Sequence, residues 1–224
     1  MPTDDGTFTI YNTLRTREMQ SELFADAEAA ASINGLRYQP DFLSVDEEAG
    51  LLDIIGLLPL QAAQYKEYVA RRRVVSFGGS FDYDENILRP GAPLDARLVP
   101  LRDRVAVWLG VVPESLVHAL VAEYTPGTPL GWHRDVPDFE TIAGVSLGSA
   151  AVLRFRPYPP TQPNAREVLQ LEVSPRSIYK MADAARWEWQ HCVPPVKTLR
   201  WSITFRTRRL SGTKQSPDAL TIQE

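Results

Sequence analysis

The chain has 224 residues, 44% of them hydrophobic and 23% charged, with a formal net charge of -4; that is the composition of a globular protein with room for one large domain. The acidic balance excludes nucleic-acid binding through overall surface charge and leaves it to local arginine clusters: Arg71, Arg72 and Arg73, and Arg154, Arg156, Arg206, Arg208 and Arg209. A single cysteine, Cys192, excludes an intrachain disulfide and suits a reducing compartment. No leader pattern and no apolar run of membrane-spanning length is read, so a cytoplasmic monomer without membrane contact is the expectation.

Residues 1–35 read as an N-terminal extension, with a weak helical pattern from Glu22 to Ala31 that ends near Asn34-Gly35. Ser44-Val45-Asp46-Glu47 fits a capping box. Behind it Leu51, Leu52, Ile54, Ile55, Leu57 and Leu58 run up to Pro59, which predicts a helix. Val74 to Phe77 is a strand candidate. A second helix is expected over Leu101 to Leu109, with Gly110 as its stop. Beyond residue 115, short β-rich runs alternate with Pro/Gly-rich turns, giving strands near 118–124, 142–147, 151–156, 167–173, 177–181 and 200–207. The fold class is therefore mainly β with flanking helices (α+β), the helices packing on one face of a sandwich or barrel. The polar stretch from Ser211 to Glu224 has no periodicity, and 210–224 reads as a flexible tail.

Chemistry concentrates in few residues. His133-Arg134-Asp135 places a histidine and a carboxylate two apart, on one side of an extended chain. With His191, 58 residues on, they form a two-histidine, one-carboxylate set, the ligand type of non-haem iron(II) sites with open positions. Zinc accepts the same ligands, although no His-Glu-x-x-His helix and no cysteine cluster favours it. His118 has no partner at ligand spacing and reads as an ordinary hydrogen-bonded histidine, and Cys192 as a small buried hydrophobe. In Arg200-Trp201-Ser202-Ile203-Thr204-Phe205-Arg206 the period is two, so Arg200, Ser202, Thr204 and Arg206 share a face opposite Trp201, Ile203 and Phe205. Guanidinium groups on a buried strand face call for an anionic partner, and a dicarboxylate fits the arginine fork; an edge strand reaching water would show the same apolar face.

Several stretches together resemble the AlkB family of 2-oxoglutarate/iron(II)-dependent dioxygenases: Tyr38 to Ser44, Tyr124-Thr125-Pro126-Gly127, His133-x-Asp135, Ala185 to His191 with Pro194-Pro195 after it, and Arg200 with Arg206. The resemblance spans about residues 36–209. It implies a double-stranded β-helix, or jelly roll. It implies Fe(II), 2-oxoglutarate and O2 as cofactors, His133, Asp135 and His191 as metal ligands, and Tyr124, Arg200 and Arg206 as co-substrate residues. Its members oxidise N-alkyl groups on nucleic-acid bases, releasing formaldehyde, succinate and CO2, so alkylated single-stranded DNA or RNA is the expected partner. A few members act on proteins or other targets, which leaves a protein side chain or a small molecule as the alternative. Two positions depart from the family: Ala122 stands where an asparagine is common, and Pro137 where repair members carry an acid. The segment from Arg71 through Tyr83 is the candidate lid, with Arg73 toward phosphates and Phe77 or Tyr83 toward a base; Trp132 is a further candidate for the pocket wall.

Overall fold

In the computed structural model, which describes residues 32–65, 68–82, 85, 87–160 and 168–209, Ser44 begins the first helix. Both arms of its capping box close: Glu47 N donates to Ser44 Oγ at 3.2 Å and Ser44 N to Glu47 Oε2 at 2.7 Å. This helix, α1 (Val45–Gly56), and α2 (Val99–Leu109) are the two long helices of the described chain; α2 ends at Gly110, whose φ of 72° is the left-handed stop expected of it.

The strands are β1 (Leu36–Gln39), β2 (Gln61–Tyr65), β3 (Tyr68–Phe77), β4 (Gly79–Asp82), β5 (Ile87–Pro90), β6 (Leu116–Tyr124), β7 (Leu130–His133), β8 (Phe139–Leu147), β9 (Ala151–Pro157), β10 (Leu169–Val173) and β11 (Ile178–Met181). After the short helix α3 (Asp183–Trp187) come β12 (Trp189–Val193) and β13 (Arg200–Arg208). A seven-stranded sheet runs β1-β11-β8-β13-β6-β3-β2, a four-stranded sheet runs β10-β9-β12-β7, and β4 pairs with β5 as a hairpin. Every pairing is antiparallel. This is the expected jelly roll with helices against one sheet.

Alternation along the strands of the large sheet makes two apolar layers. On the helix side, Ile203 and Phe205 of β13, Val121 of β6 and Val145 of β8 pack with Leu51, Ile55, Leu101 and Val105 of α1 and α2. Each fully buried aliphatic or aromatic side chain contributes about 1.5–3 kcal/mol here. Between the sheets, Ala122, Tyr124, Ile142, Tyr179 and Met181 face Leu153, Phe155, Leu171 and Val193. Ile33 is buried in this inner layer and Ala185 N donates to Asn34 O, so the packed domain starts ahead of the expected boundary at 36. The readings for Glu22 to Ala31, for the rest of the N-terminal extension up to residue 31, and for the 210–224 tail lie outside the described residues.

Alternation also decides the fate of the candidate lid. Residues 71–77 are not a lid; they belong to β3, inside the large sheet between β2 and β6. Arg73 pairs with Glu123 directly opposite it on β6, with 2.7 Å between Nε and Oε1, on the sheet face away from the cavity. Phe77 is buried in the helix-side core. A strand sends neighbours to opposite faces, so Arg72 and Ser76, rather than Arg73 and Phe77, point inward. Trp132 likewise turns outward from β7 and lies 4.5 Å under the Arg156 guanidinium, outside the cavity lining. Tyr83 lies outside the described residues.

Candidate metal and co-substrate site

The inner face of the large sheet and the edge of the small one enclose a cavity of about 660 Å³. Register builds it in rungs. On β13, Arg200 stands opposite Tyr124, Ser202 opposite Ala122 and Ser146, Thr204 opposite Leu120 and Gly144, and Arg206 opposite His118 and Ile142. All four polar residues of that strand line the cavity, as their shared face in the sequence requires. Gly144 leaves the space that the Tyr179 ring fills; a Cβ there would lie 2.3 Å from that ring.

The candidate metal-ligating side chains meet where β7 pairs with β12. His133 and His191 are direct register partners, their rings 4.2 Å apart. Asp135 follows two residues after His133, and one ligand atom from each of the three lies within 4.8 Å of the others. The His133 ring is oriented by its own strand: Nδ1 donates to Gly131 O at 2.8 Å, which leaves Nε2 as the free ligand atom, 3.6 Å from Asp135 Oδ1. Burial would raise the Asp135 pKa, but the Arg206 guanidinium, with His133 and His191 behind it, holds this carboxyl well below the usual carboxylate range. Burial, with His133 beside it, lowers the His191 pKa to about 3, so its imidazole is neutral and ready to bind a metal.

Two arginines support Asp135. Arg206 Nε donates to Asp135 Oδ2 at 3.2 Å, the oxygen other than the one nearest His133. Arg186, on α3, clamps the backbone around it, donating to the carbonyls of Asp135, Val136 and Phe139 at 2.9, 2.7 and 3.2 Å. Arg186 stands inside a motif of the sequence resemblance, but no local pattern assigns it this task.

At the other end of the cavity lies Arg200, 2% exposed. Its Nη2 donates to Ser146 Oγ at 3.1 Å, its guanidinium lies 5.1 Å from the Tyr124 ring centroid, and its Nε has no partner. No carboxylate of the described residues forms an ion pair with it, and burial lowers its pKa. A buried cation with an unused donor is costly unless a ligand completes it. The distal carboxylate of 2-oxoglutarate is such a ligand, so the residues present fit the co-substrate. Tyr124, buried on the same rung, accepts from Arg72 Nη1 at 3.3 Å.

Local pattern singles out none of three further cavity residues for the site. Arg72 differs from Arg73 only in strand parity. Tyr179, buried on β11 beside Gly144, has its phenol pKa pushed up by burial. His118 is the partner of Arg206 across β6 and β13, which no local spacing reveals.

The buried neutral histidines give a pH dependence of known sign. Burial holds both His118 and His191 at about 3, against an ordinary 6.5. The unfolded chain therefore takes up protons first as pH falls, and the contribution to stability present above pH 6.5 is lost between 6.5 and 3. Asp135, also depressed, adds loss in the same direction at the acid end. The metal-free protein is expected to melt about 5 °C or more lower at pH 4.5 than at pH 7. Thermal denaturation followed by circular dichroism measures this, and a flat profile would mean that the two imidazoles are not held neutral.

Comparison with known proteins agrees with this geometry. A sequence model of the 2OG-Fe(II) oxygenase superfamily matches residues 63–213. Uncharacterized protein L905 of Acanthamoeba polyphaga mimivirus is 26% identical over 200 residues, covering 79% of this chain and 86% of the viral protein. The tRNA (carboxymethyluridine(34)-5-O)-methyltransferase ALKBH8 of Mus musculus is 28% identical over 180 residues, 77% of this chain but 26% of the mouse protein. An Arabidopsis thaliana protein named alkylated DNA repair protein ALKBH8 homolog is 26% identical over 188 residues, 75% of this chain and 53% of its own length. The chain thus spans about a quarter of the mouse relative and about half of the plant one. Among solved structures, OsALKBH1 superposes with a TM-score of 0.61 at 13% identity, covering 78% of this chain and 97% of that one. A prolyl hydroxylase from Trichoplax adhaerens superposes at 0.56 and 14% identity, covering 86% and 92%; at such identities both speak for the fold alone. A superfamily match over most of the chain, joined to relatives of the ALKBH group, bears out the resemblance of the motifs: this chain belongs to the 2OG-Fe(II) oxygenase superfamily, as an iron(II)- and 2-oxoglutarate-dependent oxygenase.

Proposed function

We propose that this oxygenase oxidatively removes N-alkyl groups from nucleic-acid bases, releasing formaldehyde. The observation that carries the reading is the charge of the cavity wall: among the described residues it has four arginines, Arg72, Arg134, Arg200 and Arg206, and one carboxylate, Asp135. A wall of that sign suits a ligand and substrate rich in anionic oxygen, such as 2-oxoglutarate and a nucleotide. The names of the mouse and plant relatives, a tRNA methyltransferase and a DNA repair protein, point to the same class.

The residues divide the work. His133 through Nε2, His191 and Asp135 would hold iron(II), and Arg200 would grip the distal carboxylate of 2-oxoglutarate. Iron(II) with 2-oxoglutarate and dioxygen supplies the oxidation of the target carbon, with decarboxylation to succinate. Arg206 and Arg186 hold Asp135 in place. Ile142, Leu153, Met181 and Val193 line the cavity with apolar surface and keep water from the reacting atoms. Arg134, anchored to Trp187 O at 2.9 Å and stacked on Tyr158, presents a cation to incoming phosphate. A flipped or single-stranded base would enter between these groups.

Methylated single- and double-stranded DNA and RNA oligonucleotides, incubated with the protein, iron(II) and 2-oxoglutarate, are expected to lose methyl groups as read by mass spectrometry. Turnover of 2-oxoglutarate without demethylation of any member of that set would replace this reading with the same chemistry on a protein side chain or a small molecule.

A further inference from the structure

The donors and acceptors around His118 leave no freedom of assignment. An arginine only donates, so the 3.2 Å contact from Arg206 Nη1 makes His118 Nδ1 an acceptor and places the ring proton on Nε2. Nε2 then donates to Ser76 Oγ at 2.9 Å, and Ser76 Oγ donates to Gly79 O at 2.6 Å. On the other side, Arg206 Nη1 also donates to Thr204 Oγ1 at 2.9 Å, and Arg206 Nε to Asp135 Oδ2 at 3.2 Å. One continuous path of hydrogen bonds therefore runs from a metal-ligating carboxylate to the root of the β4–β5 hairpin. That root is itself held tightly. Gly78 sits at φ +77°, where a Cβ would meet Val117 O at 2.0 Å, and its N donates to Ala92 O, on the cavity wall, at 2.7 Å.

We propose that His118 is a positioning residue of this oxygenase: its Nδ1 holds the Arg206 guanidinium that presents Asp135 to the metal, and its Nε2 ties that guanidinium to the hairpin root beside the cavity. The proposal rests on the reading of His133, Asp135 and His191 as the metal ligands. His118 touches neither the metal ligands nor the co-substrate end of the cavity; it acts through Arg206. Groups that orient a metal ligand in this way commonly govern affinity by tenfold or more. The competing account is that the imidazole only fills space beside Phe139, whose ring lies 4.7 Å away.

Titration of the purified protein with manganese(II) alone, read by the electron paramagnetic resonance of the free ion, separates the two. His118→Leu keeps the bulk and removes both hydrogen bonds; it is expected to weaken manganese binding about tenfold or more. His118→Asn sets Oδ1 where Nδ1 stood, and is expected to recover binding to within about threefold of the natural protein. Should the leucine variant not fold, His118→Gln, whose amide reaches the Nε2 position and deserts Arg206, is expected to bind more weakly than His118→Asn. Unaltered binding in His118→Leu, or equal binding in His118→Asn and its leucine or glutamine counterpart, would overturn the proposal. Asp135→Ala marks which reading has failed. If it loses manganese while His118→Leu does not, the positioning role alone falls. If it binds as the natural protein does, the metal assignment falls and takes the positioning role with it.

Discussion

Arg200→Met is expected to give a folded protein that is more stable than the natural one in the absence of ligand and yet requires at least about thirtyfold more 2-oxoglutarate. Arg200 is 2% exposed, and its guanidinium donates to the Ser146 hydroxyl and leaves Nε without a partner. A buried charge so poorly compensated opposes folding, and an apolar side chain of similar length removes that cost, by about 1–3 kcal/mol. Under the proposed function, a bound carboxylate completes the arginine with charge-assisted hydrogen bonds. Truncating one partner of such a pair costs about 2–5 kcal/mol, and 1.4 kcal/mol is a factor of ten in affinity. Urea denaturation without ligand checks the first half, and the 2-oxoglutarate dependence of decarboxylation the second. An unchanged 2-oxoglutarate requirement would remove Arg200 from the site.

His133→Ala is expected to abolish iron-dependent decarboxylation of 2-oxoglutarate, by at least about a thousandfold, because the metal supplies several kcal/mol of the rate enhancement and each 1.36 kcal/mol is a factor of ten. Its fold is expected to survive, since His133 is half-buried at the end of β7 and its ring bonds only to Gly131 O two residues away. A matching circular dichroism spectrum with lost turnover is the expected pair of observations. Normal turnover in this variant would place the metal elsewhere.

Much of this site is legible in the sequence because its parts are local. His133 and Asp135 share a side by their spacing. The strand carrying Arg200 and Arg206 announces its polar face by strict alternation, and the Ser44–Glu47 capping box announces α1. None of these depends on a distant partner. The misplacements have one physical origin. Alternation shows which residues share a strand face, but not which face meets the cavity. Along Arg71-Arg72-Arg73-Val74-Val75-Ser76-Phe77 both faces carry arginine and valine, so the parity that sends Arg72 inward and Arg73 to Glu123 is invisible until β3 is seated between β2 and β6. The same holds for Trp132, which the inward turn of His133 sends outward.

The candidate metal centre that the His133–Asp135 spacing foreshadows is completed only by long-range pairing. The sequence by itself determined the candidate ligand types, the polar strand face that carries Arg200 and Arg206, and the fold class, because residue chemistry and short-range periodicity carry them. Only the tertiary structure set His191 opposite His133 through β7 and β12, and His118 opposite Arg206 through β6 and β13. Strand register is chosen by the burial of whole faces across the molecule, and that quantity belongs to no local stretch of chain.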